Sequence, residues 1–303
     1  MPRHEVEIAA FRIGRFPVTN AEWAPFLEAG GYEEERWWDT PASRQWQSGE
    51  GTAEGMHANV RYWLARFKKD PGQVERVWER GQWTEAMYER WKKRLAMTEG
   101  EFEAHLRELY PGGKIREPAL WRDEAFNNPA QPVVGVCWFE ARAYCLWLSG
   151  QTGGVFRLAT EVEWEAAARG REGRLFAYGD AFDPLRGNTA ETRIKRTTPV
   201  GVLPDGDTPE GVSDLTGNVE EWTGSLFGPG LEFDTAPVAY PYKAEDGRED
   251  PSAGAEIRRV LRGGGWGNDQ IVARSAFRNG NHPASGYFDG GVRVVVGLSP
   301  ISG

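Results

Sequence analysis

With 303 residues, 40% of them hydrophobic and 12% aromatic, the chain carries ample apolar side chain for the core of one large or two modest domains, which excludes disorder over most of its length. Thirty-six Lys and Arg stand against 45 Asp and Glu, and a formal net charge of -9 excludes the basic face that phosphate backbones require, so no nucleic-acid partner is expected. No window approaches the roughly 18 apolar residues of a spanning helix, and the first twenty residues lack a signal peptide's unbroken apolar core, so neither membrane insertion nor export is expected.

The predicted elements begin with "VEIAAFRI", where Val6, Ile8, Phe11 and Ile13 suit a strand with a bend. "TNAE" then supplies a capping box from Thr19 to Glu22, opening a short helix that ends near Gly30. Residues from about 50 to 115 change character. Met87, Trp91 and Leu95 recur at helical spacing, and "TEGEFEAHLREL" adds a second capping box with Phe102, Leu106 and Leu109 on one side, so a helical insertion is predicted. Its charged remainder reads as a solvated face.

"QPVVGVCWFEARAYCLWLSG" reads as a buried strand running into a helix, with Ala141, Tyr144, Cys145 and Leu148 sharing a side and Gly150 as its stop. In "FRLATEVEWEAAARG", Thr160 caps toward Glu163 and Gly170 sits where a C-terminal glycine belongs. Beyond Gly170 the chain is dominated by Gly, Pro, Asn, Asp and Trp, predicting short strands joined by long structured loops. Two cysteines, Cys137 and Cys145, are too few for a disulfide framework. On one helix they would stand about 12 Å apart along the axis, beyond the ~7 Å limit for a bridge, so both are expected to be free.

Six blocks in order, "FRIGRFPVTNAEWAPFLEAGGY", "PVVGVCWFEARAYCLWLSG", "FRLATEVEWEAAARG", "NTAETRIKRTTPVG", "SDLTGNVEEWTGS" and "RVLRGGGW…ARSAFRN…GGVRVV", resemble the formylglycine-generating-enzyme/sulfatase-modifying-factor family. The resemblance implies an α+β, loop-rich C-type lectin fold of the formylglycine-generating-enzyme type. Residues 1–303 would form a single domain interrupted by the helical insertion. Enzymes of that family oxidise a substrate cysteine with a copper-binding cysteine pair lying between the RGG-W and ARS blocks. Here that interval reads "WGNDQIVARS" and holds no cysteine, while Cys137 and Cys145 fall on other elements. A second branch holds iron through several histidines, but His4, His57, His105 and His282 are scattered without metal-ligand spacing. No catalytic residue carries over, so the chain is expected not to be an enzyme. The alternative is an oxidoreductase of the family lacking the usual cysteine pair.

The resemblance also implies a structural calcium ion in the block "SDLTGNVEEW". Asp214 and Glu221 would supply side-chain oxygens and Gly217 and Val219 carbonyls, the all-oxygen set Ca²⁺ accepts. Asn188, with Glu191, is a candidate for a second site.

The C-terminal stretch "RGGGWGNDQIVARSAFRNGNHPASGYFDGGVR", residues 262–293, is similar to the variable proteins of diversity-generating retroelements. In those systems template adenines are randomised, so that AAY codons become NNY, which cannot encode Lys, Glu, Gln, Met or Trp. The interval from Gly263 to Gly291 has no Lys, Glu or Met, as that alphabet requires, leaving Trp266 and Gln270 as fixed residues. Arg262, Gly263, Gly264, Trp266, Ala273, Arg274, Ser275, Ala276, Arg278, Asn281, Pro283, Gly291 and Arg293 are expected to form the fixed frame. Gly265, Gly267, Ile271, Val272, Phe277, Gly280, His282, Ala284, Ser285, Gly286, Tyr287 and Phe288 are the candidate variable, outward-facing positions. Rigid aromatics among small residues suit an adaptable binding surface. The resemblance thus implies a receptor-type protein that binds a macromolecular or surface ligand; its localisation stays open, cytoplasmic or phage-particle associated in the absence of a signal peptide.

Overall fold

The computed structural model describes residues 4–229, 238 and 241–297. A three-stranded antiparallel sheet joins the two ends of the chain: β1 (Phe11–Ile13) and β2 (Phe156–Leu158) flank β7 (Val294–Gly297), with Phe11 opposite Gly297 and Leu158 opposite Val294. The second sheet runs in the order β5-β4-β3-β6. It comprises β3 (Glu220–Pro229), β4 (Ile257–Arg262), β5 (Asn279–Asn281) and β6 (Gly290–Val292), all antiparallel except the β3–β6 pair. Short strands, two sheets and long loops match the α+β, C-type-lectin-like expectation.

Local sequence explains the helices. α1 (Asn20–Glu28) carries the Thr19–Glu22 capping box, and α2 (Pro41–Ser48) starts with proline at its first position. α7 (Trp138–Thr152) and α8 (Glu161–Arg169) follow the predicted order, and the Thr160–Glu163 box is present. Two readings are corrected. Residues 132–136 are buried but form no strand beyond an isolated Thr19–Pro132 bridge, because their backbone serves loops: the Gly135 N–H donates to the Tyr287 carbonyl. Gly150 does not stop its helix. α7 runs on to a left-handed Gly153, and Gly150 is instead the place where Trp37 crosses, its ring 2.7 Å from where a Cβ would stand.

The main core gathers Trp23, Phe26, Trp38, Trp138, Tyr144 and Trp222, drawing mainly on α1, α7 and β3. Cys137 and Cys145 are free thiols inside it. The predicted insertion is a bundle of four helices, α3 (Glu54–Lys69), α4 (Gly72–Glu79), α5 (Glu85–Ala96) and α6 (Glu99–Leu109), with a cluster of its own around Leu64, Phe67, Trp91 and Leu106. Among the described residues no helix is long and apolar enough to cross a membrane.

Candidate functional site

The C-terminal segment 262–293 is fastened to the body by buried charge. Glu161, at the start of α8 and fully buried, receives three guanidiniums. Arg262 Nη2 lies 3.2 Å from its Oε2, Arg248 Nη1 3.4 Å from its Oε1, and Arg278 binds both oxygens. Arg262 Nη1 also donates to the Ser275 and Phe277 carbonyls at 3.3 and 3.1 Å, so one side chain ties the loop's backbone to the helix. A second clamp lies at the far end of the segment, where Arg293 donates to Glu221 at 2.7–3.0 Å and to the carbonyls of Gly14, Arg15 and Ser213. Buried charges are tolerated when paired and hydrogen-bonded in this way. Between the clamps, Gly263 and Gly264 take φ of 95° and 66°, and Gly264 leaves 3.1 Å between a would-be Cβ and the Ala273 backbone. Trp266 is buried, its indole N–H directed to the Phe288 carbonyl and its ring against Phe288.

The expected frame is therefore largely interior: of its thirteen positions only Arg274 and Ala276 are not buried. The expected outward positions divide into three groups. Ile271 is 55% exposed, and Val272 and Phe277 are partly exposed. Gly265, Gly267, Gly280, Ala284 and Ser285 are buried, which corrects their outward assignment. His282, Gly286, Tyr287 and Phe288 are half-buried. A Cβ would stand 2.4 Å from Asp289 Oδ2 at Gly265, 2.2 Å from the Phe227 ring at Gly280 and 2.7 Å from the Gly135 carbonyl at Gly286, so these three sites admit only glycine without local rearrangement. Tyr287 packs against the main core and donates its hydroxyl to Asn281 Oδ1 at 2.8 Å, so it too belongs to the body.

The insertion covers part of this segment. Gly55 at the start of α3 lies so close that its Cβ would meet Ser285 Oγ at 2.4 Å and His282 Nδ1 at 2.9 Å. The Gln82 carbonyl stands 3.1 Å from the Cβ position of Gly267, and Gln82 Nε2 reaches Asp269 Oδ2 at 3.5 Å. Sequence periodicity identifies the bundle as helical but carries no signal for where it sits.

Beneath the segment, Glu220 and Asp289 are buried side by side. Desolvation, reinforced by their mutual repulsion, raises the Glu220 carboxyl well above its usual range, and desolvation raises Asp289 as well. The Asn279 amide donates to both Glu220 oxygens at 3.0 Å. Burial likewise pushes up both thiols, Cys145 to about 12, which disfavours the thiolate that nucleophilic chemistry needs. The four histidines do not converge: His4 lies by Tyr242, His57 contacts the Leu106 and Tyr110 carbonyls, His105 is on α6 and His282 lies against α3. Among the described residues no three His, Cys, Asp or Glu side chains stand together as a metal-holding group.

The calcium donors fit unevenly. Asp214 is raised by burial and accepts the Gly201 N–H at 2.8 Å, with Glu221 near enough to repel it. The Gly217 carbonyl already accepts the Val219 N–H at 2.9 Å. Glu221 is already engaged: Arg293 donates to both its oxygens and the Trp164 indole N–H donates to it at 2.6 Å. Asn188 is engaged as well. Its amide donates to the Arg196 carbonyl and Asn218 Oδ1 and its oxygen accepts from Thr192, which makes it a loop staple. Glu191 is likewise engaged, by the Thr189 hydroxyl and the Gln270 N–H.

The chain is 31% identical over 298 residues to hercynine oxygenase of Mycolicibacterium thermoresistibile, covering 97% of this chain and 52% of that one. It is 31% identical over 280 residues to formylglycine-generating enzyme of Mycobacterium tuberculosis, covering 87% and 78%. Thus the chain spans about half the length of the hercynine oxygenases it matches. Among solved structures, Treponema denticola variable protein 1 superposes with a TM-score of 0.46 at 20% identity, over 60% of this chain and 75% of that one. The family described as "Sulfatase-modifying factor enzyme 1-like domain" matches residues 1–298, and the chain belongs to it.

Proposed function

We propose that this chain is a receptor-type binding protein that recognises a macromolecular or surface ligand through its C-terminal segment, and that a retroelement diversifies that segment. The observation that carries the reading is the contrast within 262–293. A frame of buried arginines, glycines and Trp266 holds an irregular loop on which Ile271 is exposed and Val272 and Phe277 are partly exposed, alongside exposed Gln270 and Ala276. Binding without covalent change needs rigid presentation and variable side chains, and no nucleophile. Nothing in "WGNDQIVARS" supplies a thiol or imidazole, and both cysteines are buried with raised pKa. Diversification is confined by the close glycine contacts to positions other than Gly265, Gly280 and Gly286.

The DNA beside the gene tests this. A near-copy of the sequence encoding 262–293, carrying adenines at the Ile271, Val272 and Phe277 codons and lying next to a reverse transcriptase gene, is the expected finding. Absence of both removes the diversification.

The second reading is an oxidising enzyme of the family, favoured by similarity over 97% of this chain to 52% of hercynine oxygenase. Incubation of a sulfatase-motif peptide with the protein, copper and oxygen tests the formylglycine-forming branch of that reading. Formylglycine detected by mass spectrometry would overturn the receptor reading; an unchanged cysteine is expected.

A further inference from the structure

We infer that the four-helix insertion is a hinged cap, which closes over the inner half of the recognition segment and uncovers it on lifting. Three observations point there. The bundle's core draws only on residues between 60 and 110, so its apolar cohesion is internal and independent of the body's core. Its two connections to the body lie side by side and are built from glycines in the left-handed region: Gly49 and Gly51 at φ 106° and 68° before α3, Gly112 and Gly113 at 71° and 97° after α6. They touch each other. The Thr52 hydroxyl donates to the Gly113 carbonyl at 3.0 Å, and a Cβ on Gly49 would lie 2.8 Å from the Lys114 nitrogen. Paired glycine connections at one point are where a rigid unit can pivot, because their backbone absorbs φ changes that other residues resist.

The third observation is the seam. Its contacts include polar and main-chain ones: Gly55 on Ser285 and His282, the Gln82 carbonyl on Gly267, Gln82 Nε2 on Asp269, and Arg193 Nη2 donating to the Glu79 carbonyl at 3.1 Å. Gly81 presses on the Ala190 carbonyl, with 3.3 Å left for a Cβ, and Lys195 Nζ sits 4.4 Å over the Trp78 ring. A polar seam between two separately packed units makes relative motion the default. Such contacts also cost little to exchange for water. Lifting the cap would bare Gly267, His282, Ser285 and Phe288, four of the positions that the variable pattern marks and the closed structure hides wholly or in part. This rests on the reading of 262–293 as a recognition segment. It gives that segment a closed state with Ile271 exposed and Val272 and Phe277 partly exposed, and an open state with a wider face.

The test places a thiol under the cap. Ser285→Cys in the full chain puts it at a position with no exposure, while Cys137 and Cys145, 1% and 2% exposed in the main core, serve as internal references. Labelling with a small water-soluble maleimide under native conditions, followed by peptide mass spectrometry, is expected to modify the introduced thiol roughly tenfold or more faster than either reference, because a local opening requires less free energy than global unfolding. Equal rates at all three thiols mean that only global unfolding reaches position 285, and overturn the cap. Hydrogen exchange on the unaltered chain gives a second measurement should the variant fold poorly. The Ser285 amide, bonded to the His282 carbonyl, is expected to exchange faster than that of Val133, bonded to Val18, and equal protection overturns the proposal. Neither experiment uses a ligand, so a fixed cap would leave the recognition reading standing and the DNA comparison to decide it.

Discussion

The C-terminal segment and the insertion are both long-range neighbours of the same face, yet they are held by opposite means. The segment is bolted down by charge: Glu161 with Arg248, Arg262 and Arg278, and Glu221 with Arg293, all buried. The insertion is cohesive within itself, through Phe67 edge-on to Trp91 at 4.9 Å and Trp83 stacked on Trp91 at 6.1 Å, but meets the body through glycines and single polar contacts. A buried ion pair fixes one geometry, since displacing either partner strands the other charge in a low dielectric. A polar seam fixes none so firmly. The fold thus concentrates its rigidity in the loop that presents side chains and withholds it from the bundle that covers them.

The largest expected effect breaks the bolted side of this comparison. Glu161→Gln leaves three guanidiniums around a neutral amide, and removing one partner from a buried pair costs about 3–5 kcal/mol. Denaturant unfolding should show that loss for the whole protein. A change within error would mean that Asp246 and Glu165, which also pair with Arg248 and Arg262, carry the frame without Glu161.

Within the segment the same contrast recurs between anchor and tip. Trp266→Ala should destabilise by about 3–5 kcal/mol, the range for truncating a large buried aromatic. Ile271→Ser and Phe277→Ser should each change stability by less than about 0.5 kcal/mol, as surface substitutions do. Thermal unfolding of the three variants side by side reads the difference. If the two serine variants fall as far as the tryptophan variant, the exposed apolar surface is a structural part of the loop and the recognition reading loses its physical support.

How far the sequence carried this picture depends on the range of each contact. Capping boxes at Thr19, Thr98 and Thr160 are local, and each one is present. The frame of the segment follows from the resemblance to variable proteins, and eleven of its thirteen positions are buried. The outward positions were misjudged where the reason lies far away in the chain. Gly280 faces Phe227, Gly286 faces Gly135 and Gly267 faces Gln82, and a small residue in a loop gives no sign of which distant group presses on it. Gly150 failed in the same way, marking the approach of Trp37 where a helix end was expected. The cap's placement was illegible for the same reason, since its seam contacts include glycines and main-chain atoms that leave no hydrophobic period.

An effect smaller than the loss of either anchor concerns the clamp at Glu221. With Glu221 held by Arg293 and Trp164, a calcium ion there depends on Asp214 and the Gly217 and Val219 carbonyls, a weaker set than two carboxylates would make. Sites of low charge count bind in the range of roughly 10⁻⁴–10⁻³ M, and a ligand at about ten times its dissociation constant stabilises by about 1.4 kcal/mol through mass action. Wild type should therefore melt a few degrees higher in 10 mM Ca²⁺ (roughly ten times that range's upper end) than in chelator, and Asp214→Asn should erase the difference. The ion and the guanidinium offer alternative positive charge for the same buried acids, so the absence of any calcium shift in wild type would show that Arg293 alone neutralises them. In that outcome the comparison sharpens: the segment is held by side-chain charge throughout, and no part of its fastening can be removed by a chelator.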